Sequence, residues 1–461
     1  MKMKRRTFLI SSIATTAAIG VRQMFAVTPG TVTGTPRLKF GVLSDTHLDC
    51  NTRAWFRTAL EWYREQGIDA LIIAGDMTNY GCFSELMYTA QEWERAFPND
   101  KAPDGRSVTK LFCYGNHCVL PESDWHRKQY PDPAERQKNV VALDPKGAWE
   151  RAFHEAYAPV YSKTVNGYQF VGVHWTGHNA REAWFDAHAK EIDPSKPFFY
   201  FQHPHPKDTC YGKWAWGHDD GTSTRILSQF PNAIAFSGHS HFPLTNEETI
   251  WQGAFTSIGT SSLNYSGTCD YCNASNGANH HQGRQGMLVT VCDDHVRIER
   301  HEFFTNQSLG DDWILPIGKG ATKPYEYATR IVKRVAPEFK AGTMAKVELV
   351  LPKPDKDGKT PPPSQLKVTF PAAESREKCR AYNYDVEAFV EEVTDGKPLK
   401  KWRTHATDYH LPPSKAGGEC ACFIRLADLP KKTGVRFVIH PVECFGKMGA
   451  AISTPVFTTP D

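Results

Sequence analysis

The hydrophobic and polar positions of the chain fall into two regimes. From residue 38 to about 303, short apolar runs alternate with stretches of helical spacing. Leu38–Ser44 is a buried-strand run ending at Asp45, and Thr52–Gln66 then shows helical spacing and stops at Gly67. Ala70–Ala74 ends at Gly75-Asp76, with a helical stretch from about Phe83 to Phe97 behind it, and Val108–Tyr114 ends at Gly115-Asn116-His117. Apolar runs of this length, bounded by glycine and alternating with helices, predict α/β layering. Pro121–Lys146 is polar and proline-bearing and reads as a long surface excursion. Strands are predicted at Gly167–Val173 and Pro197–Phe201 around a helix at Arg181–Lys190, then at Ala233–Phe236, Gly253–Ile258, Gly286–Val291 and His295–Glu302. The insert Ser261–Gln285 is rich in Gly, Asn, Ser and His, and loops of this length are commonly functional.

The second regime starts near Leu315. Helical spacing becomes scarce, while short alternating runs recur at Ala345–Leu351, Leu366–Phe370, Tyr384–Val390, Ala421–Leu426 and Val435–His440. Turns rich in Pro and Gly separate them, as at Pro361–Pro363 and Pro412–Gly418. This spacing predicts a small all-β sandwich over 315–461. Its last stretch, Val435–Phe457, resembles the closing strands of a fibronectin type III or immunoglobulin-like module.

The first 26 residues differ from both regimes. MKMKRR leads into the uncharged run Thr7–Val21, which is too short to span a bilayer core comfortably. Arg5-Arg6 followed by Thr7, Phe8 and Leu9 resembles a twin-arginine export signal, with a plain secretory signal as the alternative. Residues 1–26 therefore read as an export signal, and the expected location is periplasmic or secreted. No later apolar run is long enough to span a membrane.

Removing the five cations of residues 1–26 from the formal net charge of +3 leaves −2. A nearly neutral protein has no electrostatic reason to bind nucleic acid or an anionic membrane. The 12 cysteines permit disulfides in an exported chain without specifying them. Cys269/Cys272 and Cys420/Cys422 lie too far apart in sequence to read as a paired zinc motif, so a local disulfide or free thiols are expected.

The chemistry lies at the strand ends, where loops converge in layered α/β folds. Asp45 and His47 follow the first strand as D-x-H, Asp76 the second, and Asn116 and His117 the third. His203 ends the strand Pro197–Phe201, and His239 and His241 stand in GHSH after a later one. Carboxylates, imidazoles and one amide make a mixed N/O donor set for first-row metals, and a carboxylate can bridge two of them. Two such ions activate water and clamp phosphate oxygens. Each motif alone occurs often by chance. Together and in this order they are specific.

That order, D-x-H, GD-x-x-x-x-G, GNH, His, GH-x-H, resembles the calcineurin-like metallophosphoesterase superfamily over roughly residues 37–303. The resemblance implies a four-layer αββα sandwich, here a catalytic domain over 37–310, with two metals (Mn, Fe or Zn) at one end. It implies that Asp45, His47, Asp76 and His241 hold one metal and that Asp76, Asn116, His203 and His239 hold the other. His117 would protonate the leaving alkoxide or steady transition-state charge. Cys118 departs from the pattern, since the family usually has an acid after the GNH histidine, and this bears on the role of His117. In Gln202-His203-Pro204-His205-Pro206 the ligand position falls on His203, with His205 the alternative and otherwise facing substrate.

Other residues are candidates for substrate contact. His174, Trp175 and His178 follow a strand and stand to face the metal rim or the core. Tyr265, His280 and His281 lie in the long insert and could close over a ligand. His218, Asp219 and Asp220 precede a helix near Thr222 and read as caps, and Trp55, Trp62 and Tyr63 read as packing. The function implied is in-line attack on phosphorus by a metal-bridging hydroxide. A diesterase acting on a small or lipid-linked phosphoester outside the cytoplasm is preferred, because no arginine cluster is evident to clamp a dianionic monoester. The alternatives are a phosphomonoesterase or nucleotidase, and a non-hydrolytic metal-binding envelope protein. The sandwich could also contact the cell envelope.

Overall fold

The computed structural model describes residues 34–461 except 214, 268–278, 281–282, 354–355, 357–359, 392–395, 416 and the side chains of 279 and 280. The expected export signal, the Cys269/Cys272 pair and His281 lie outside the described residues. Among the described residues, fifteen strands build the first part of the chain. They are β1 (Leu38–Leu43), β2 (Ala70–Ala74), β3 (Thr109–Cys113), β4 (Val160–Val165), β5 (Tyr168–Val173), β6 (Phe198–Phe201), β7 (Ala233–Ser237), β8 (Ile250–Gln252), β9 (Thr256–Gly259), β10 (Ser266–Gly267), β11 (Asn279–His280), β12 (Gln285–Val291), β13 (His295–Glu302), β14 (Gln307–Ser308) and β15 (Trp313–Pro316).

Two sheets stack face to face. One runs β14-β13-β12-β1-β2-β3, with β15 also pairing β13, and the other runs β4-β5-β6-β7-β9-β8. The strands that end at site residues, β1–β2–β3 and β5–β6–β7, pair in parallel, so their C-terminal ends point the same way within each sheet. Between the sheets, Phe40 meets Phe170, Phe199 and Phe236 edge-on, with centroids 5.2, 4.8 and 6.0 Å away. Helices α1 (Arg53–Gln66) and α2 (Phe83–Ala96) cover the outer face of the first sheet, against Leu71, Ile73 and Phe112. On the outer face of the second sheet, α6 (Arg181–His188) and α7 (Thr222–Leu227) pack on Val171, Tyr200 and Ala235. The layers are therefore α, β, β, α. Because both faces of β2 are covered, its sequence, ALIIA, is continuously apolar rather than alternating.

The polar stretch after residue 121 lies mostly exposed, as a surface excursion would, but it is helical. It carries α3 (Asp124–Gln129) and α4 (Pro133–Asn139), with α5 (Pro145–Phe153) directly behind them. Each starts at a side chain that accepts a backbone N–H: Ser123 from His126, Asp132 from Ala134 and Asp144 from Gly147. These caps favour short helices where apolar periodicity is too weak to announce them.

The remaining strands are β16 (Lys346–Leu349), β17 (Gln365–Pro371), β18 (Asn383–Val390), β19 (Lys400–His405), β20 (Glu419–Arg425), β21 (Gly434–Val442), β22 (Ile452–Ser453) and β23 (Phe457–Thr458). They form sheets β16-β17-β20 and β19-β18-β21-β22, with β23 also pairing β21. Leu366, Val368, Phe370, Val386, Phe437 and Ile439 fill the space between them. Two features depart from expectation. The helix α8 (Tyr327–Lys333) precedes the sandwich, and β15 belongs to the αββα sheet although it reaches past Leu315. No disulfide joins the described cysteines, and Cys420 and Cys422 both lie in the sandwich core. No helix among the described residues is long and apolar enough to cross a membrane.

Candidate metal centre

At the C-terminal ends of β1 and β2 the backbones stay in register beyond the strands: the Asp45 N–H donates to Gly75 O (3.1 Å) and the His47 N–H to Asp76 O (2.9 Å). Asp45, His47, Asp76, His239 and His241 all have positive φ, between 40° and 71°. None is glycine, and such residues cost about 1–3 kcal/mol each, a strain that clusters where side-chain direction matters more than backbone comfort. Gly238 permits the approach of the GHSH loop, since a Cβ there would lie 2.3 Å from Asp45 Oδ2.

The donors converge. Asp45 Oδ1 lies 2.9 Å from His241 Nε2 and 3.8 Å from the Nε2 atoms of His47 and His203. Asp76 Oδ2 lies 3.0 Å from His203 Nε2 and 3.8 Å from His47 Nε2. The second oxygens are held from behind: Asp45 Oδ2 accepts from the Ser44 hydroxyl and the His239 N–H, and Asp76 Oδ1 accepts from the His117 N–H at 2.8 Å. Asp45, His47 and His241 offer ligand atoms within 4.8 Å of one another, as do Asp76, His203 and His239.

Imidazole orientation favours metal binding. The Nδ1 atoms of His203 and His241 bond the carbonyls of Ala74 (2.9 Å) and Tyr265 (3.0 Å), which makes Nδ1 the protonated nitrogen and turns a lone pair on Nε2 inward. The Nε2 atoms of His47 and His241 then face each other at 3.3 Å, a contact a cation between them would satisfy. His203 Nε2 and Asn116 Oδ1 are buried without a hydrogen-bond partner. Electrostatics agree for Asp76, His47 and His239 but not for His203: burial would lower its imidazole, and the Asp76 and Asp45 carboxylates outweigh that and hold it up to about 9. Burial alone would raise the Asp76 carboxyl, but the His203 and His47 imidazoles outweigh it and hold the group down to about 2. Burial pushes the His47 and His239 imidazoles down to about 3, keeping them neutral as ligands must be. Donor type and unpartnered atoms fit a pair of first-row cations.

His117 lies beside the donors: with His47 and Asp76 it also offers ligand atoms within 4.8 Å of one another. Its ring meets His47 edge-on at 4.6 Å, and its Nδ1 is fixed by Asn79 O at 2.9 Å, leaving Nε2 to exchange a proton. Cys118 is turned into the core behind it, its Sγ accepting the Met77 N–H at 3.2 Å, with burial pushing the thiol up to about 12. A main-chain carbonyl, not a neighbouring acid, therefore orients the imidazole.

The substrate-contact candidates divide. Tyr265 lies at the centre, 4.3 Å from the His241 ring and 5.9 Å from that of His47. His205 does not face substrate: it is fully buried, with its Nε2 on Ser240 Oγ at 2.8 Å, where it braces the GHSH loop. His174 is likewise a core residue, caged by Tyr114, Trp149 and Tyr157 and accepting the Tyr114 N–H at 3.1 Å. His178 packs on Trp175 at 4.9 Å, with its Nε2 buried and without a hydrogen-bond partner. Asp220 does accept the Thr222 N–H at 3.0 Å at the start of α7, while Asp219 ties down the amides of Lys207 and Gly221. The sequence reading missed Trp216, whose ring stacks on His239 at 4.7 Å and 23°. With Trp175 and Tyr265 it gives the donors an aromatic surround. A lone tryptophan in a loop carries no sequence signal for that role.

A calcineurin-like phosphoesterase family model matches residues 38–243. No curated protein matches the sequence. Among solved structures, a dimetal phosphatase from Danio rerio is 10% identical and covers 61% of this chain and 99% of its own, at a TM-score of 0.37. A purple acid phosphatase from yellow lupin (Lupinus luteus) seeds is 12% identical, covering 61% of this chain and 54% of its own, at a TM-score of 0.40. GAP50, the anchor in the inner membrane complex of Plasmodium, is 9% identical, covering 64% and 93%, at a TM-score of 0.38. With its motifs, layers and family match in agreement, residues 38–243 form a calcineurin-like phosphoesterase domain, which supports a phosphoric ester hydrolase.

Proposed function

We propose that the protein is a two-metal phosphodiesterase acting outside the cytoplasm on a small or lipid-linked phosphoester. The observation that carries the reading is the meeting of Asp45 Oδ1 and Asp76 Oδ2 with the Nε2 atoms of His47, His203 and His241. Asp45, His47 and His241 would hold one ion, and Asn116, His203 and His239 the other, with Asp76 shared. Bound there, the two ions supply Lewis acidity, lowering the pKa of water and neutralising charge on the phosphoryl oxygens.

The protein's own groups do the rest. His117, its Nδ1–H tied to Asn79 O, carries a proton on Nε2 when charged and delivers it to the departing alkoxide. Arg181 is buried beside His178, with its charge met by Asp220 and, at 3.7 Å, Asp219 rather than offered to a second phosphate charge. This favours a monoanionic diester over a dianionic monoester. The twin-arginine-like start of the chain supports the location.

A panel of aryl phosphomonoesters and diesters, with metal content measured on the same preparation, tests the reading. Diester turnover should exceed monoester turnover at least tenfold. Faster monoester turnover would favour a phosphomonoesterase or nucleotidase, and full metal content without turnover would favour a binding role.

A further inference from the structure

The C-terminal sandwich reaches the metal centre through one buried side chain. Between β19 and β20 its chain turns into the αββα part, where Tyr409 and His410 are almost wholly buried. Two of their carbonyls are caught there. Thr245 Oγ1 donates to Tyr409 O at 2.6 Å, and Gln285 Nε2 donates to His410 O at 2.6 Å.

Gln285, at the start of β12, is fully buried and uses both ends of its amide. While Nε2 holds the sandwich, Oε1 accepts the Leu244 N–H at 2.7 Å and the Ser261 hydroxyl at 3.1 Å. Ser261 is one of the positive-φ residues, at 61°, so its backbone needs outside support to stay as it is. Its carbonyl lies 2.9 Å from Ser44 Oγ, whose single hydroxyl proton is shared between that carbonyl and Asp45 Oδ2. A parallel link runs through the main chain: the Gln285 N–H donates to Ser262 O at 3.0 Å, and the Ser262 hydroxyl donates to Asp45 O at 3.0 Å. Two short routes thus connect the sandwich to both the carboxylate and the backbone of Asp45.

We infer that Gln285 is a positioning residue through which the C-terminal sandwich fixes Asp45 for metal binding. The inference rests on Asp45 being a metal ligand. An amide suits the position because it donates toward the sandwich and accepts from the site loops at once, which neither a carboxylate nor an aliphatic side chain does. Partners behind a ligand set its direction, and losing one commonly weakens metal affinity about 10–100-fold.

The test uses the full-length protein, stripped of metal and titrated with Mn²⁺ by calorimetry, with metal content and turnover measured alongside. Gln285→Leu is expected to stay folded, to bind Mn²⁺ about 10–100-fold more weakly, and to recover turnover when Mn²⁺ is raised, with KM for the phosphoester unchanged. Thr245→Val removes the other tie to the sandwich and leaves Ser261 untouched. It should lower stability while keeping wild-type Mn²⁺ affinity. If Gln285→Leu does not fold, Gln285→Glu serves instead, because it keeps an acceptor for Leu244 and Ser261 and breaks only the bond to His410. It should weaken Mn²⁺ binding in the same sense. Wild-type affinity in the Gln285 variants, or an equal loss in Thr245→Val, would overturn the inference. Failure of the wild-type protein to bind Mn²⁺ would instead remove the metal-centre reading beneath it.

Discussion

His203 Nε2 lies 3.0 Å from Asp76 Oδ2, while His203 Nδ1 is anchored 2.9 Å from Ala74 O at the end of the strand that delivers Asp76. The imidazole from one sheet is thus oriented by the backbone of the other, directly beneath the carboxylate it faces. This couples the two sheets at the point where the donors meet. Asp76→Asn keeps an acceptor for the His117 N–H but removes the charge that two cations would share. The expected result is a folded protein, by circular dichroism, that loses bound metal and falls about 10³-fold or more in phosphoester turnover. Retained metal and turnover would show that Asp76 is not shared between the ions.

The role given to His117 separates chemistry from metal binding. Its Nδ1 is committed to Asn79 O, so only Nε2 can move a proton. His117→Gln should leave metal content unchanged and lower kcat about 10²–10⁴-fold, the usual range for a lost general acid. The loss should shrink for nitrophenyl esters, whose leaving group departs without a proton. An equal loss on activated and unactivated esters would assign His117 to charge stabilisation instead.

The convergence of these donors was legible because each stands immediately after a buried apolar run, and strand ends in a layered fold share one edge. The direction of a neighbouring side chain was less legible. His203 and His205 are two residues apart in the same loop, yet one faces Asp76 and the other faces Ser240, a choice made by the parallel bridge of residue 205 to His218. His174 follows a strand as the ligands do, but its ring falls among Tyr114, Trp149 and Tyr157, where packing decides its place. The strand β19 reads KKWRTH and gave no apolar alternation because it is an edge strand, with only Thr404 buried. The partners of His117 and Ser44, the carbonyls of Asn79 and Ser261, are backbone features that residue identity does not encode.

Cys118 stands where the resembling family usually places an acid, and its surroundings explain why that change is tolerable. The thiol accepts the Met77 N–H, lies in the hydrophobic core, and is kept protonated by burial. Cys118→Ser should keep kcat within about threefold, because the imidazole of His117 does not depend on this side chain. Cys118→Ala leaves the Met77 N–H without its partner and should cost about 1–3 kcal/mol in urea unfolding. In the native protein a small alkylating reagent should modify the exposed Cys50 well before Cys118. Early labelling of Cys118, or a large activity loss in the serine variant, would restore a catalytic role for the position.

Glu85, which is not one of the metal donors, offers a pH test. It begins α2, where its Oε2 accepts the N–H groups of Tyr80 (2.9 Å) and Cys82 (3.1 Å), yet burial pushes its carboxyl up to about 7. A carboxyl whose folded value lies above its ordinary 4.5 binds its proton more tightly folded than unfolded. Its contribution to stability is complete below about 4.5 and is lost as pH rises through about 7. Glu85→Gln keeps the acceptor and removes the charge. At pH 8 it should therefore be more stable than wild type, by at most about 3 kcal/mol, and at pH 4 the two should match. Thermal unfolding across that pH range checks the sign. A variant less stable at pH 8 would mean that the attraction between an ionised Glu85 and the first turn of α2 exceeds the burial penalty.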